Sequence, residues 1–177
     1  IRFASVSLKG PLLNVGSTLD LTGALAGIFS GGQVTVTGST DAFVQITGGT
    51  HKIATNSDTA MFRLFGRPSA ITTETVEGNT VTKTADKPLQ HGGVLLETTG
   101  ATIDTKQGFR LDAALFEATK PLFNLLAGSA STVTSANDFA NLTGKAKLAA
   151  MLPGDALVKL NGSTLNVNSG SLFRVAV

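Results

Sequence analysis

Residues 157–175 read Leu-Val-Lys-Leu-Asn-Gly-Ser-Thr-Leu-Asn-Val-Asn-Ser-Gly-Ser-Leu-Phe-Arg-Val. Asn161-Gly162-Ser163 and Asn168-Ser169-Gly170 cut this stretch into three short segments. Within them Val158, Leu160, Leu165, Val167, Phe173 and Val175 fall on one side, and Lys159, Thr164, Asn166 and Arg174 on the other. That is the period-two alternation of a half-buried strand, not the 3.6 period of a helix. Leu157-Val158-Lys159-Leu160 returns as Leu172-Phe173-Arg174-Val175, so the element repeats within the stretch itself.

The repeat extends outward through the chain. Leu12-Leu13-Asn14-Val15 is followed by Gly16-Ser17 and Thr18-Leu19-Asp20-Leu21. Ile28-Phe29 with Val34-Thr35-Val36, Phe43-Val44-Gln45-Ile46 with His51-Lys52-Ile53, and Met61-Phe62-Arg63-Leu64 continue it. Leu13, Phe29, Val44, Phe62, Leu96, Phe123, Val158 and Phe173 are read as equivalent, in a unit of roughly 15–18 residues. Two strands and a Gly turn per unit predict an all-β chain wound as a parallel β-solenoid of about nine to ten short coils. At about 4.8 Å per coil the rod would be roughly 45 Å long. The eight apolar residues would form an internal ladder, with Asn14, Gln45, Arg63, Asn124, Lys159 and Arg174 as an outer row.

Two stretches interrupt the rhythm. Residues 71–84 alternate around Glu77-Gly78-Asn79 and predict an inserted β-hairpin that projects from the body. Residues 112–127 hold two repeat-like segments only seven residues apart, and a helical turn ended by Pro121 is one reading of them. Lys145–Leu152 is read as a second short helical corner.

Composition agrees with an all-β fold. Hydrophobic residues make up 42% of the 177, enough for a core in a single domain 1–177, while charged residues are only 15%, below the usual quarter or so. The chain has no cysteine, which excludes disulfides and thiolate metal sites. Net charge is +2 and the 14 Lys and Arg are scattered, so no nucleic-acid partner is expected. No apolar run reaches the roughly 18–20 residues of a membrane span, and no membrane insertion is expected. Ile1 opens the sequence without Met or a signal peptide, which is read as a processed chain or a segment of a longer repetitive one.

Motifs for chemistry are sparse. The P-loop, the G-x-S-x-G elbow, the H-E-x-x-H motif and the EF-hand loop are all missing from the sequence. His51 and His91 lie in Gly- and Thr-rich turn regions and are expected to be plain surface histidines. Asp104, Asp112 and Glu117 form the best acidic grouping, of the kind that pairs across coils in glycan-cleaving β-helices. Solvated coil corners are the plainer reading of all three. Thr35-Val36-Thr37, Thr80-Val81-Thr82 and Thr132-Val133-Thr134 raise ice binding, yet residues 50–53 and 164–167 read THKI and TLNV, so the array fails. Asn141-Leu142-Thr143 and Asn161-Gly162-Ser163 match the glycosylation sequon, and turn geometry explains Asn there as well. No catalytic residue, cofactor or metal is expected.

The units PLLNVGSTLDLTG, PLFNLLAGSASTV and ALVKLNGSTLNVNSGSLFRV resemble the degenerate coils of secreted bacterial β-solenoid proteins, the filamentous-haemagglutinin-like adhesins and related surface fibres. The resemblance is one of texture over most of the chain and transfers no functional residue. It implies an extracellular or cell-surface bacterial protein that acts by shape and self-association, with a host surface or glycan as a further partner. The termini fit that expectation, because the strand pattern runs into both. Arg2, Phe3 and Val6 at one end and Leu172, Phe173 and Val175 at the other are the expected head-to-tail contacts, since neither strand carries the Pro or the cluster of Lys or Glu that guards an edge, and only Arg2 and Arg174 are charged. A β-helix that binds or cleaves glycans is the competing class, and an ordered charged groove along one face would favour it.

Overall fold

Strands with one apolar face and short connections bury that face either by hairpin pairing or by winding. This chain winds. The computed structural model describes residues 5–29, 33–36, 42–65, 69–76, 79–86, 89–91, 94–112, 115–118, 121–125, 129–143, 146–150 and 155–176. The first turn comprises β1 (Ser5–Leu8), β2 (Leu13–Val15), β3 (Asp20–Leu21) and β4 (Ala26–Phe29). The second comprises β5 (Gln33–Val36), β6 (Ala42–Thr47), β7 (Thr50–Ile53) and β8 (Phe62–Phe65). Then come β9 (Ser69–Val76) and β10 (Asn79–Asp86), which pair antiparallel with each other. The third turn holds β11 (Leu89–His91), β12 (Val94–Thr99), β13 (Thr102–Thr105) and β14 (Phe109–Asp112). The fourth holds β15 (Leu115–Ala118), β16 (Phe123–Leu125), β17 (Thr132–Ser135) and β18 (Ala140–Thr143). The fifth holds β19 (Lys147–Ala150), β20 (Val158–Leu160), β21 (Thr164–Val167) and β22 (Phe173–Val175).

Corresponding strands of successive turns pair in parallel. Side one is β1-β5-β11-β15-β19, side two β2-β6-β12-β16-β20, side three β3-β7-β13-β17-β21 and side four β4-β8-β14-β18-β22. The result is an all-β, β-solenoid-like fold; among the described residues there is no helix, and so none long and apolar enough to cross a membrane.

The register corrects the expected coil. Leu13 pairs with Val44, Val44 with Leu96, Leu96 with Phe123 and Phe123 with Val158. A full turn therefore takes roughly 30 residues, and the sequence unit is half a turn. Five turns at about 4.8 Å give a body of roughly 20 Å instead of 45 Å. The reason is that sides two and four carry the same apolar–polar–apolar signature, so a self-comparison of the sequence matches one side to the other. The predicted single ladder is accordingly two. Leu13, Val44, Leu96, Phe123 and Val158 line side two, while Phe62 and Phe173 belong to a side-four column that runs Ala26, Phe62, Phe109, Ala140, Phe173. Phe29 falls in β4, outside that column, and its side chain lies outside the described residues.

The two columns meet in the interior. Phe62 and Phe123 contact edge to face at 5.9 Å, and Phe123 lies 4.8 Å from Phe139. Such pairs add about 0.5–1.5 kcal/mol each to the burial of their area. The expected helical corners are strands. Leu115–Ala118 and Phe123–Leu125 lie on adjacent sides of one turn, which explains their close spacing, and buried Pro121 sits between them. Lys147–Ala150 is β19, and 151–154 lie outside the described residues.

The corner between sides two and three shows what holds turns in phase. Gly48, Gly100 and Gly162 occupy equivalent positions there with φ of 67°, 64° and 62°, a conformation that a Cβ disfavours. Next to them runs a serine ladder. The Ala101 N–H donates to Ser131 Oγ at 3.2 Å, and the Ser131 N–H donates to Ser163 Oγ at 3.0 Å. Each serine thus gives a backbone donor of the turn below the partner that a buried N–H requires.

Candidate functional site

Four outer faces and two ends are the surfaces such a fold offers, and the residues expected to act are distributed over them. His51 is not on the surface. It is fully buried on the inner face of β7, in the column of Ile103, Val133 and Leu165. Its Nδ1 accepts the Leu19 N–H at 3.2 Å and its Nε2 lies 2.7 Å from the Gly48 carbonyl. With Nδ1 accepting, Nε2 carries the proton and donates, so both ring nitrogens are satisfied in the neutral ring. Parity explains the correction: His51 is in phase with Ile53, whereas Thr50 and Lys52 face out. The His91 side chain lies outside the described residues.

The acidic grouping is dispersed. Asp104 is on side three, Asp112 on side four, and Glu117 on side one, its side chain outside the described residues. Among the described residues no three His, Cys, Asp or Glu are placed to hold a metal ion.

The outer face of side three joins Thr50, Thr102, Thr132 and Thr164 in direct register. The neighbouring column is Asp20, Lys52, Asp104, Thr134 and Asn166. One threonine column is complete and the second is not, so the regular Thr-x-Thr array that ice binding needs is absent from this face. Thr35 lies on side one and Thr80 in β10, while Thr37 is outside the described residues.

Side four differs in kind. Its outer column runs Gly27, Arg63, Arg110, Asn141, Arg174. The Arg63 guanidinium lies 4.7 Å from the Phe65 ring centre, and that of Arg110 lies 6.0 Å from it. Arg110 approaches Asp112 at 3.7 Å, and Arg174 approaches Asp138 at 3.5 Å. Both separations are too long for good charge-assisted hydrogen bonds. Asp138 is itself buried and accepts the Ser171 N–H at 2.8 Å, which ties the fifth turn to the fourth. Beside this column lies an open groove of about 300 Å³ crossing turns two to five. Its walls are the connections from side three to side four, including Asp58, Asn137 and Asp138, and Arg110, Asn141 and Arg174 line it. Among the described residues Arg63 Nε, Arg110 Nε, Asn141 Oδ1 and Thr143 Oγ1 are buried without a hydrogen-bond partner, all four on this one face.

Sequence reading finds Arg63 and Arg174 as outer residues but does not join them to Arg110. The signal is present: Phe62-Arg63-Leu64, Phe109-Arg110-Leu111 and Phe173-Arg174-Val175 share one pattern.

The ends carry the exposed apolar residues. Leu160, Leu172, Phe173 and Val175 in the fifth turn and Leu12 in the first are the large apolar side chains that remain exposed among the described residues. Arg2 and Phe3 lie outside the described residues, and Val6 is in β1, paired with Val34, its side chain likewise outside them. Protein-family models, curated proteins and solved structures were all compared with the chain, and none matches.

Proposed function

We propose that the chain is a structural, adhesive element of an extracellular or cell-surface bacterial fibre, working by shape without catalysis, in which the fifth turn stacks on the first turn of a second copy. The observation that carries this reading is the column from Phe62 to Phe173. Phe62 is 2% exposed, Phe109 0% and Ala140 1%, yet Phe173 is 38% exposed. The next inward column rises in the same way, from 0% at Leu111 to 70% at Val175. These side chains continue the core ladder and lack its next rung among the described residues. Among the described residues β19 to β22 are also the outermost strands of their sheets, and each presents there a backbone edge of the kind that templates further pairing.

Sequence matching between the two ends supports the same geometry. Gly16-Ser17-Thr18-Leu19 in the first turn repeats Gly162-Ser163-Thr164-Leu165 in the fifth. A first turn laid in phase on the fifth puts Ser17 of the second copy at the next step of the serine ladder. Head-to-tail contacts of this kind do not close and produce filaments. The extracellular, bacterial setting follows from the resemblance to secreted solenoids and from nothing in the geometry.

The test is the assembly state as concentration rises, read by sedimentation velocity and electron microscopy, for the unmodified chain and for Val175→Pro. Filaments that Val175→Pro abolishes are expected, because Pro removes a backbone donor in the edge strand. A chain that stays monomeric at every concentration, or a Val175→Pro variant that assembles as well as the unmodified chain, would sink the proposal.

A further inference from the structure

The outer faces of sides two, three and four obey different electrostatic rules. On side three the column Asp20, Lys52, Asp104 alternates in sign from turn to turn. On side two Gln45 Nε2 donates to Glu97 Oε1 at 3.1 Å. Both arrangements are what stability alone selects, since opposite or complementary groups in register attract. Side four breaks that rule. Arg63 and Arg110 stand in direct register on adjacent turns, where like charges repel. Arg174 repeats the charge two turns further on.

The guanidiniums are also underused. Each has five N–H donors, yet their carboxylate approaches among the described residues are the 3.7 Å and 3.5 Å contacts to Asp112 and Asp138. Among the described residues two of their donors, Arg63 Nε and Arg110 Nε, are buried without a partner. A row of cations held together against repulsion, with spare donors, beside a polar groove that crosses four turns, has the form of an oxyanion site.

We infer that the side-four groove binds a linear acidic polysaccharide, its chain running along the solenoid axis and its carboxylates reading Arg110 and Arg174. Three features select this ligand class. The groove is axial, and its two cationic residues, Arg110 and Arg174, stand two turns apart, about 10 Å at the spacing of neighbouring strands, so a polymer with periodic carboxylates can meet both. The walls mix donors and acceptors, and Asp58, Asn137 and Asn141 there can serve hydroxyl groups. Arginine forks match the planar geometry of a carboxylate. Nucleic acid fits less well, because the groove lining offers no aromatic ring on which a base could stack.

The experiment measures binding of alginate, of alginate with its carboxylates esterified, and of single-stranded DNA to the intact chain, by affinity electrophoresis and calorimetry at physiological salt. Alginate is expected to bind, and its ester and the DNA to bind at least about tenfold more weakly. Arg110→Gln and Arg174→Gln are each expected to weaken alginate binding about tenfold, the scale of one charge-assisted hydrogen bond. Lys52→Gln, which removes the same charge from side three, is expected to leave it unchanged. Arg174 is exposed on the fifth turn, so Arg174→Gln retains the test should Arg110→Gln fail to fold. Absence of alginate binding, equal binding of the ester, equal loss in Lys52→Gln, or DNA binding as tight as alginate binding would each overturn the assignment.

Discussion

Phe109 and Phe173 hold the same position on the same side of the molecule, two turns apart. One is fully buried and the other more than a third exposed. Their sequence neighbourhoods are nearly identical, Phe-Arg-Leu and Phe-Arg-Val. The difference lies in what stands above and below. Phe109 has Phe62 in the second turn and Ala140 in the fourth; Phe173 has Ala140 on one side alone among the described residues. Burial in this fold is therefore conferred by neighbouring turns, and a residue's worth depends on its place in the stack.

The largest expected effect tests that statement directly. Phe109→Ala should cost about 3–5 kcal/mol, the range for a fully buried aromatic. Phe173→Ala should cost less, about 1–2 kcal/mol, because more than a third of the residue stays in water in the monomer. Urea denaturation at concentrations below any assembly reads both. Equal losses would show that the fifth turn is packed as tightly as the third. If the fifth turn is covered in an assembly, the Phe173→Ala penalty should grow with protein concentration, by mass action.

A second test uses glycines of the same contrast. A Cβ at Gly108 in the third turn would enter the ring of Phe139. Gly108→Ala should therefore cost about 1–3 kcal/mol through overpacking. At Gly162 in the fifth turn the added Cβ meets open space and the burden is the positive φ alone. Gly162→Ala should cost about 1 kcal/mol, the left-handed penalty. Thermal melts of the two variants give the order. A larger loss at Gly162 would mean that backbone conformation, rather than packing between turns, sets the cost.

These contrasts also explain how far the sequence is legible. Period-two alternation identifies the strands, and the column Leu13, Val44, Leu96, Phe123, Val158 reads in register. Alternation says which residues face in; it does not say which strand lies alongside. Sides two and four have the same short-range signature, so half a turn passes for a whole one. His51 is misplaced when its residue type is given more weight than its phase between Thr50 and Lys52. The groove is harder to see, since it joins residues of four turns, from Asp58 to Arg174, and its line-up exists only once the true turn is known. The threonines of side three show the same dependence: Thr50, Thr102, Thr132 and Thr164 are inconspicuous in the chain and continuous in the sheet.

A third test compares the steps of the serine ladder. Ser131 is fully buried, and its Oγ accepts the Ala101 N–H. Ser131→Ala should cost about 1–2 kcal/mol, since a buried donor loses its acceptor. Ser163 accepts the Ser131 N–H at the edge of the fifth turn, where it is only partly buried. Ser163→Ala should cost less, because water reaches the donor it leaves behind. Amide hydrogen exchange separates the two cases: protection at Ala101 should fall in the first variant, and protection at Ser131 should fall only modestly in the second.

The smallest effect is a gain, and it comes from a fault in the inner stack. Thr98 occupies the inward column of side two, paired with Ile46 below and Leu125 above. It is 1% exposed and its Oγ1 has no hydrogen-bond partner. A buried hydroxyl without a partner loses its hydration and receives nothing in return. Valine has nearly the same shape, so Thr98→Val removes the unpartnered group without opening a cavity. The expected result is a gain of about 1 kcal/mol, seen as a higher urea midpoint at an unchanged m-value. The fifth-turn counterpart of this column is Leu160, which is exposed. Leu160→Thr should be correspondingly mild, because solvent can serve the new hydroxyl there. Leu125→Thr, one turn further in and fully enclosed, should be several-fold more costly. A loss of stability in Thr98→Val would mean that the hydroxyl has a partner such as a buried water. In that case the third turn would contain a polar contact that its neighbours Ile46 and Leu125 do not reveal.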